Sequence, residues 1–529
     1  MNILLIRPPD PLQHVQLLSH TRPMNLTFLA SFLRENGVCV RLLDFETTRY
    51  SEATLLDYLR QVEPDVVGVS CMTPSIVNGA RVCAVVKQFS NRIATVTGGP
   101  HVNGVGVSVL EEFPSFDFAI FGEGEQTLLD LCRHVRDGGD PNDIPGLMHR
   151  SGDGVTKNSP RPNIEPLDSL PFPARDLIDW TRQTGHAVRG ITNETHSTEL
   201  FTSRGCPYPC KFCSIQATFG KSARFFSPEY IEQEIREFMA DYQFEHVVVA
   251  DDTFSLNIPR AKELCEVFQR SGLPTWNCDT RVGTVRPDLL KLMKESGCNK
   301  VAYGVETGSE RIAALISKKM SFERLERAVR WTREAGIENI EGNFIIGVHP
   351  DENWDDIEKT RNAITSLPWD FVSVSIIVPY PGTQIHEMMK AQGLIHSDCS
   401  WDDLVMFGRR PKWNTNHFSA DDLVAIQKKL TREFFLRPAY ILSRLRRIHS
   451  WKELKYWIRS GVAYMRWYLR GEVTTGPSTD SIEQFATVES NGIGQIYDSD
   501  DQVNPETVAS DGYLVDTEDH TVSVVIGRQ

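Results

Sequence analysis

The stretch SRGCPYPCKFCS, residues 203–214, places Cys206, Cys210 and Cys213 on one short segment with the spacing C-x3-C-x2-C. One glycine and two prolines favour an open loop here. Grouped thiolates bind soft metals and iron–sulfur clusters. A structural zinc ion requires four ligands, but no further His or Cys follows within the next thirty residues. The missing fourth ligand predicts a [4Fe–4S] cluster with one open iron, and a zinc-binding loop is the alternative.

The cysteine loop lies at the start of a repeating strand and helix pattern that spans residues 196–395. Helical stretches separate the strands; two of them start after Ser or Pro, and several end at Gly. Six such units in a row predict a (β/α)6 partial TIM barrel, whose site lies at the carboxyl ends of the strands. The cysteine loop follows the first strand and therefore belongs to that site. The predicted strands are ELFTS, HVVVAD, WNCDTR, KVAYGVE, IEGNFIIG and FVSVSIIVP.

Residues 1–145 form a separate α/β region. Five short apolar strands alternate with helices there, which predicts a doubly wound parallel sheet. Such sheets bind ligands beyond the carboxyl ends of their strands. Three polar, glycine-containing stretches lie at those ends: SCMTPS (70–75), TGGPHVNG (97–104) and FGEGEQT (121–127). No G-x-G-x-x-G follows the first strand, so a dinucleotide is not the expected ligand.

The remaining segments differ in composition. Residues 146–195 are rich in Pro, Asp and Ser and predict a linker, with room for a small hairpin. Residues 396–475 predict a helical region, in which residues 428–470 contain twelve Lys or Arg against two Glu. Residues 476–529 are acidic with little apolar periodicity, which predicts a disordered tail.

The composition of the chain limits its expected cellular location and its expected binding partners. The chain has 529 residues and a formal net charge of −14, which argues against a nucleic-acid partner. Eleven cysteines, eight of them scattered, do not form a secreted disulfide framework. The start MNILLIRPPD lacks the basic region and cleavage site of a signal peptide, and no apolar run reaches ~18 residues. A cytoplasmic location is expected, with membrane association left open.

The three-cysteine loop at the top of the first barrel strand, with the aromatic Phe212 before its last cysteine, resembles the radical S-adenosylmethionine (SAM) enzymes. The resemblance implies that the open iron chelates SAM and that one electron cleaves SAM to a 5′-deoxyadenosyl radical. An external donor such as flavodoxin or ferredoxin would supply that electron. The likeness continues through ADDTF (250–254), DTR (279–281), YGVETGSE (303–310), NFIIGVHPDE (343–352) and VPYPGT (378–383), each at the end of a predicted strand.

The resemblance implies a set of SAM contacts whose charges suit that molecule. The two adjacent aspartates could accept from its ammonium group, and the arginine could pair with its carboxylate. The glutamate could reach the ribose or the ammonium, and the short apolar segment could flank the adenine. Each polar residue has the alternative of a capping or structural role. The implied contacts are Phe212, Asp251, Asp252, Arg281, Glu306, Ile346 and Gly347.

GGPH followed by GEGE in the first domain is similar to the cobalamin-binding subfamily of these enzymes. The motif D-x-H-x-x-G, which supplies a cobalt-ligating His in many cobalamin domains, is absent, because Asp10 and His14 stand too far apart in RPPDPLQHVQ. His101 is either a loop hydrogen-bonding residue or a cobalt ligand. The implied cobalamin contacts are Ser70, Met72, Thr73, Gly98, Gly99, Pro100, His101, Gly122, Glu123 and Gly124.

The family resemblance implies methylation of an unreactive carbon, or occasionally phosphorus, with cobalamin as methyl carrier. The expected substrate is a lipid, a tetrapyrrole or a natural product. An oxidative cyclase without net methyl transfer is one alternative, and a cobalamin sensor or carrier without catalysis is another. The interleaved Arg and aromatic residues of 428–470 suit a membrane surface or a lipophilic anionic substrate. The other interpretation of this segment is a helical cap packed on the barrel.

Overall fold

The computed structural model describes residues 1–11, 22–152, 154–180, 196–406 and 409–445, together with Trp451, Lys455 and Ile458. The chain divides into two compact units, residues 1–475 and 476–529, and all described residues belong to the first. The expectations for His14, for the acidic tail and for most of 446–475 lie outside the described residues. Among the described residues, no helix is long and apolar enough to cross a membrane.

Within the described residues, the first sheet has seven strands in the order β2-β1-β3-β4-β5-β6-β7, and β1 to β5 are parallel as predicted. Helices cover both faces: α1 and α6 pack on one, and α2, α3 and α5 on the other. The strands are β1 Asn2–Arg7, β2 Cys39–Asp44, β3 Val66–Ser70, β4 Ala94–Gly98, β5 Phe118–Ile120, β6 Leu147–Ser151 and β7 Gly154–Lys157. The helices are α1 Met24–Glu35, α2 Glu52–Val62, α3 Ile76–Phe89, α4 Pro100–Val105, α5 Ser108–Glu112 and α6 Glu125–Asp137.

The hairpin β6–β7 lies inside the stretch that the sequence assigned to a linker. It pairs antiparallel with β5 and so extends the first sheet to Lys157. Leu147 and Met148 of β6 are fully buried, which explains why the hairpin docks on the sheet edge. The boundary at residue 145 stays a prediction. Farther along the described part of this stretch, Leu167 and Leu170 join the barrel core.

The second sheet contains the six predicted strands, parallel and in sequential order β8-β11-β12-β13-β14-β15. The chain after β8 forms a separate two-stranded antiparallel ribbon, β9–β10. The strands are β8 Ser197–Leu200, β9 Ser203–Arg204, β10 Arg224–Phe225, β11 His246–Val249, β12 Thr275–Arg281, β13 Cys298–Glu306, β14 Asn339–Ile346 and β15 Phe371–Ile376. The helices are α7 Ile215–Phe219, α8 Pro228–Tyr242, α9 Ile258–Arg270, α10 Pro287–Glu295, α11 Glu310–Leu315, α12 Phe322–Glu334, α13 Trp354–Ser366, α14 Gln384–Ala391, α15 Ala420–Phe435 and α16 Pro438–Leu445.

Local sequence explains where the barrel helices start. Ser227 accepts a hydrogen bond from the backbone N–H of Tyr230, and Pro228 occupies the first position of α8. Asn353 caps α13 in the same way and forms a capping box with Asp356. These caps fix the residue at which each helix begins. The residues between a strand and the following helix therefore stay in loops, which can build a site.

Helix α15 closes one side of the barrel. Gln427 donates a hydrogen bond to the backbone carbonyl of Val374 on β15, 2.9 Å away. Arg361 of α13 forms an ion pair with Glu433 of α15. Within the predicted helical region, residues 420–445 form α15 and α16, whereas the described residues between 396 and 419 are mostly loop. Helix α15 is packed on the barrel, as the cap interpretation expects.

Candidate functional site

A cavity of about 490 Å³ lies where the carboxyl ends of the two parallel sheets face each other. Its first wall comes from the loops after β3, β4 and β5, and its second from the start of the barrel and the segment that follows the cysteine loop. The first wall includes Ser70, Met72, Thr97, Gly98, Gly99, Pro100, Asn103, Gly122, Glu123, Gly124 and Glu125. The second includes Phe201, Ser203, Arg204, Ser214, Ile215, Thr218, Phe219, Ala250 and Asp252.

The GGPH segment forms a smooth part of the first wall. Gly99 has φ +104°, and a Cβ atom there would lie 2.7 Å from the carbonyl oxygen of Cys71, so only glycine fits. A Cβ atom on Gly98 would meet nothing closer than 3.7 Å. The backbone at Gly98 is therefore open for close approach by a ligand, while Gly99 provides the turn that places it there.

Eight of the ten residues predicted for cobalamin line this cavity, and Thr73 and His101 do not. The His101 ring is fully buried, with Nδ1 3.4 Å from Oγ1 of Thr73 and an edge contact to Trp401 at 4.8 Å. Burial lowers the pKa of His101 to about 4, so the ring is neutral. This geometry favours the hydrogen-bonding role over the role of a cobalt ligand.

The three cysteines of the loop are all free and partly exposed, between β9 and α7. The backbone N–H of Cys213 donates to the carbonyl of Cys210 at 3.1 Å, which tightens the loop. Burial, together with the nearby Cys210, raises the pKa of the Cys213 thiol to about 11. In the part of the chain that the structure describes, no three His, Cys, Asp or Glu converge as ligands of one metal ion do.

Arg281, at the end of β12, lies against the cysteine loop. Its Nη1 donates to Sγ of Cys210 at 3.3 Å, and its guanidinium stacks over the Tyr208 ring at 3.8 Å. Phe212 packs at the margin of the barrel core. A fixed cation beside three thiols suits an anionic iron–sulfur centre, so the donor set fits such a group.

Asp251 and Asp252, both predicted for SAM, have different surroundings. Asp251 is buried and accepts three hydrogen bonds, from the N–H and hydroxyl of Thr202 and from the N–H of Ser203, at 2.6–3.0 Å. It ties the chain after β8 to the end of β11. Asp252 instead lines the cavity with its side chain exposed, and partial desolvation at the cavity wall together with the nearby Asp251 raises its pKa to about 6. Only Asp252 is placed to meet a ligand in this cavity.

The other predicted SAM residues lie on the later strands. Glu306, with φ +66° at the end of β13, forms an ion pair at 2.6 Å with the buried Lys318, which the sequence did not single out. Ile346 is buried at the end of β14. Gly347 donates its N–H to the buried carboxyl of Glu352.

Glu352 was not predicted as a site residue, although it ends the NFIIGVHPDE stretch. Its Oε1 atom is buried without a hydrogen-bond partner, and burial raises the pKa of the carboxyl to about 8. Two further groups missed from the sequence are Arg204 and Arg224, which pair with Glu123 beside the cavity. Their partners are distant in sequence, so no local signal could have found them.

Comparison with known proteins assigns both halves of this site. The pattern of the Radical SAM superfamily matches residues 200–364, and that of the B12 binding domain matches residues 15–132. An uncharacterized methyltransferase of Pyrococcus horikoshii is 30% identical over 453 residues, which cover 85% of this chain and 96% of the relative. The chain belongs to the cobalamin-binding radical SAM family. This cobalamin-dependent radical SAM enzyme uses a [4Fe–4S] cluster, SAM and cobalamin.

Other relatives of this radical SAM enzyme include an anaerobic magnesium-protoporphyrin IX monomethyl ester cyclase of Rubrivivax gelatinosus, 27% identical over 73% of this chain and 70% of the relative. Among solved structures, the radical SAM methyltransferase TsrM of Kitasatospora setae superposes with a TM-score of 0.65 at 19% identity. The match covers 83% of this chain and 91% of TsrM, and it shows the same fold.

Proposed function

We propose that this radical SAM enzyme methylates an unactivated carbon atom of a small, lipophilic substrate such as a lipid, a tetrapyrrole or a natural product. The observation that carries the proposal is the shared cavity, which is walled by the predicted cobalamin loops on one side and by residues after β8 and β11 on the other. The relative that this chain matches over 96% of its length is named a methyltransferase, which supports methyl transfer.

The residues have distinct roles in this proposal. Cys206, Cys210 and Cys213 would hold the cluster, and Arg281, which donates to Sγ of Cys210, would offset negative charge there. Asp252, beside the same loop, accepts from the SAM ammonium. When bound, the cluster and SAM supply hydrogen abstraction and the cobalamin supplies the methyl group.

The loops after β3, β4 and β5 hold cobalamin in the proposal. The open backbone at Gly98 and the left-handed turn at Gly99 provide a flat surface, and Gly122, with φ +78°, has nothing within 4 Å of an added Cβ. A broad planar ring system needs such a surface, because side chains would hold it away from the strand ends. The residues of the first wall therefore fit this cofactor.

A cyclase reaction without net methyl transfer is the second candidate, since the cyclase relative matches 73% of this chain. The two reactions differ in the fate of the SAM methyl group. The reconstituted enzyme, with a chemical reductant in place of flavodoxin or ferredoxin, is incubated without oxygen with SAM deuterated in its methyl group. Candidate lipids, tetrapyrroles and natural products are supplied, and products are analysed by mass spectrometry.

Methyl transfer predicts a product that contains the deuterated methyl group, together with 5′-deoxyadenosine. A product that changes mass without deuterium would support the cyclase. SAM cleavage that no candidate substrate stimulates, with cobalamin bound, would count against the substrate classes named here. A chain that binds cobalamin but never cleaves SAM would support the sensor or carrier alternative.

A membrane contact through α16 is also proposed, because this helix exposes a row of apolar side chains next to a basic segment. Ile441, Leu442 and Leu445 of α16 are 43–56% exposed, and so is Leu436 just before the helix. Apolar side chains flanked by Lys and Arg bind anionic lipid surfaces. Flotation with phosphatidylglycerol vesicles should recover the enzyme, and Leu442→Glu should weaken recovery more than the matched change Phe89→Glu on α3. Equal recovery of both variants would contradict the contact.

A further inference from the structure

The loop that follows β5 is joined to the β9–β10 ribbon by a cluster of buried charges. Glu123 belongs to this loop and Glu125 is the first residue of α6, while Arg204 and Arg224 belong to the two strands of the ribbon. Arg204 contacts Glu123 at 2.8 Å and Glu125 at 2.7 Å, and Arg224 contacts Glu123 at 2.8 Å. All four side chains are at most 11% exposed.

Glu123 has no carboxylate oxygen left for a ligand contact of its own. Its Oε1 accepts from both arginines, and its Oε2 accepts from Arg224 and from the backbone N–H of Ile164 at 2.7 Å. Arg224 also donates to the carbonyl of Ile164. The loop, the ribbon and the chain segment before the barrel therefore meet at one point.

The ribbon that carries the arginines brackets the cysteine loop. Arg204 stands two residues before Cys206, and Arg224 follows Cys213 in the returning strand. Between them, a Cβ atom on Gly205 would lie 2.4 Å from the carbonyl oxygen of Ser222, so the two sides of the ribbon are in close contact there. Movement of either arginine is consequently transmitted to the cysteines.

The energetics favour a single arrangement of these groups. Two carboxylates and two guanidiniums balance in charge, and each is removed from water. Breaking a buried pair by removal of one partner is strongly destabilising, because the other charge remains buried and uncompensated. Burial pushes the pKa of Glu123 upward, but the hydrogen bonds from Arg224 and Arg204 outweigh this and lower it, so Glu123 is ionised.

We infer that Glu123 and Glu125 are positioning residues that hold the cysteine loop in register with the first wall of the cavity, so that the N-terminal sheet sets the distance between cluster and cobalamin. The inference rests on the proposed cofactor sites. It gives the GEGE stretch a function different from the predicted direct contact with cobalamin, because its carboxylates bind arginines of the barrel half.

The test compares Glu123→Gln and Glu125→Gln with the matched variant Glu234→Gln. Glu234 forms a buried pair with Arg175 at 2.7 Å, 1% and 5% exposed, and does not line the cavity. In each holoenzyme, pulsed electron paramagnetic resonance measures the distance between Co(II) and the reduced cluster. We expect a broadened or shifted distance in the two loop variants and an unchanged one in Glu234→Gln.

Hydrogen exchange of the same proteins without added cofactors gives a second readout. Exchange in peptides covering residues 203–225 should rise about tenfold or more in the loop variants relative to Glu234→Gln. If Glu123→Gln does not fold, Glu125→Gln decides, since it loses contact with one arginine only. Distances and exchange equal to those of Glu234→Gln would overturn the inference. A wild-type chain that binds no cobalamin would refute the proposed function instead. Hydrogen exchange alone would then decide whether Glu123 and Glu125 hold the cysteine loop in place.

Discussion

Neighbouring residues of this enzyme with the same chemistry have different tasks, and Asp251 and Asp252 are the clearest case. The carboxylate of Asp251 accepts hydrogen bonds from backbone and hydroxyl groups after β8, whereas Asp252 faces the cavity. The charge of the first therefore stabilises the fold, and that of the second is available to a ligand.

We predict that Asp251→Asn and Asp252→Asn separate stability from binding. Asp251→Asn should lower the free energy of unfolding by about 1–3 kcal/mol, because an amide cannot accept all three hydrogen bonds. Asp252→Asn should leave unfolding nearly unchanged and weaken SAM binding. Chemical denaturation and isothermal titration with SAM measure the two effects. The reverse pattern would show that the assignment of roles is wrong.

The three cysteines should be equally necessary for the cluster. Cys206→Ala, Cys210→Ala or Cys213→Ala should each abolish SAM cleavage, because two cysteine ligands are too few to keep the cluster bound to the protein. Iron and sulfide analysis with assay of 5′-deoxyadenosine checks this. Cys399→Ala, also a partly exposed free cysteine, is the control and should keep full iron content. A triple Cys→Ala variant that still made 5′-deoxyadenosine would falsify the assignment.

Glu352 should give the enzyme a component of stability that declines with pH. The folded pKa is raised from 4.5 to about 8, so the folded state retains a proton that the unfolded state releases above its own pKa. This stability is complete below pH ~4.5 and is lost as pH rises to about 8, with a slope of at most about 1.4 kcal/mol per pH unit. Unfolding of wild type and Glu352→Gln between pH 5 and about 8 should show a flatter profile for the variant. Parallel profiles would contradict this.

At the scale of elements, the site is made by the loops at the carboxyl ends of parallel strands. Both sheets present those ends to one cavity, which brings together loops more than 100 residues apart in the chain. Apolar runs in the sequence are enough to predict most of the strands. The hairpin β6–β7 is harder to assign, because it joins the first sheet through only two buried residues, Leu147 and Met148, and the residues around them are polar.

The loop after β4 offers a direct test of the cobalamin wall. Gly98→Trp should block cobalamin without unfolding the protein, since an added Cβ makes only ordinary contacts, at 3.7 Å or more, and φ is not left-handed. Gly99 is unsuitable, because its φ of +104° would strain any other residue. Absorbance of bound cobalamin and the melting temperature measure the outcome.

Gly154→Trp, on the exposed hairpin strand β7, is the matched control, because an added Cβ there meets no atom within 4 Å and the residue does not line the cavity. It should bind cobalamin normally. If Gly98→Trp and Gly154→Trp bind equally well, cobalamin does not occupy this wall.

At the scale of the whole molecule, the described residues form one unit that contains both sheets, and residues 476–529 fall in another. The tail has eleven Asp or Glu between Val473 and Gln529 against one Arg. Ion pairs between exposed side chains contribute ~0–1 kcal/mol each and weaken with salt, so the charge of this segment is expected to add little to stability.

We therefore predict that a chain ending at Thr475 keeps its cluster, its cobalamin and its turnover. Iron content, cobalamin absorbance and the rate of SAM cleavage are compared with those of the full chain. A large loss of turnover with both cofactors still bound would show that the tail takes part in the reaction, against the sequence-based expectation of a dispensable segment.

The strands of both sheets and the cluster loop could be predicted from short stretches of the sequence. Apolar strands with period and length typical of parallel sheets predicted both halves, and C-x3-C-x2-C predicted the cluster loop, because these signals lie within a few neighbouring residues. The tertiary structure alone decided which polar side chains face the cavity. Glu123 meets Arg224 across 101 residues of sequence, and His101 is buried against Trp401. The partners in hydrogen bonds and ion pairs depend on which distant segments the fold brings together, and a local sequence pattern does not contain that information.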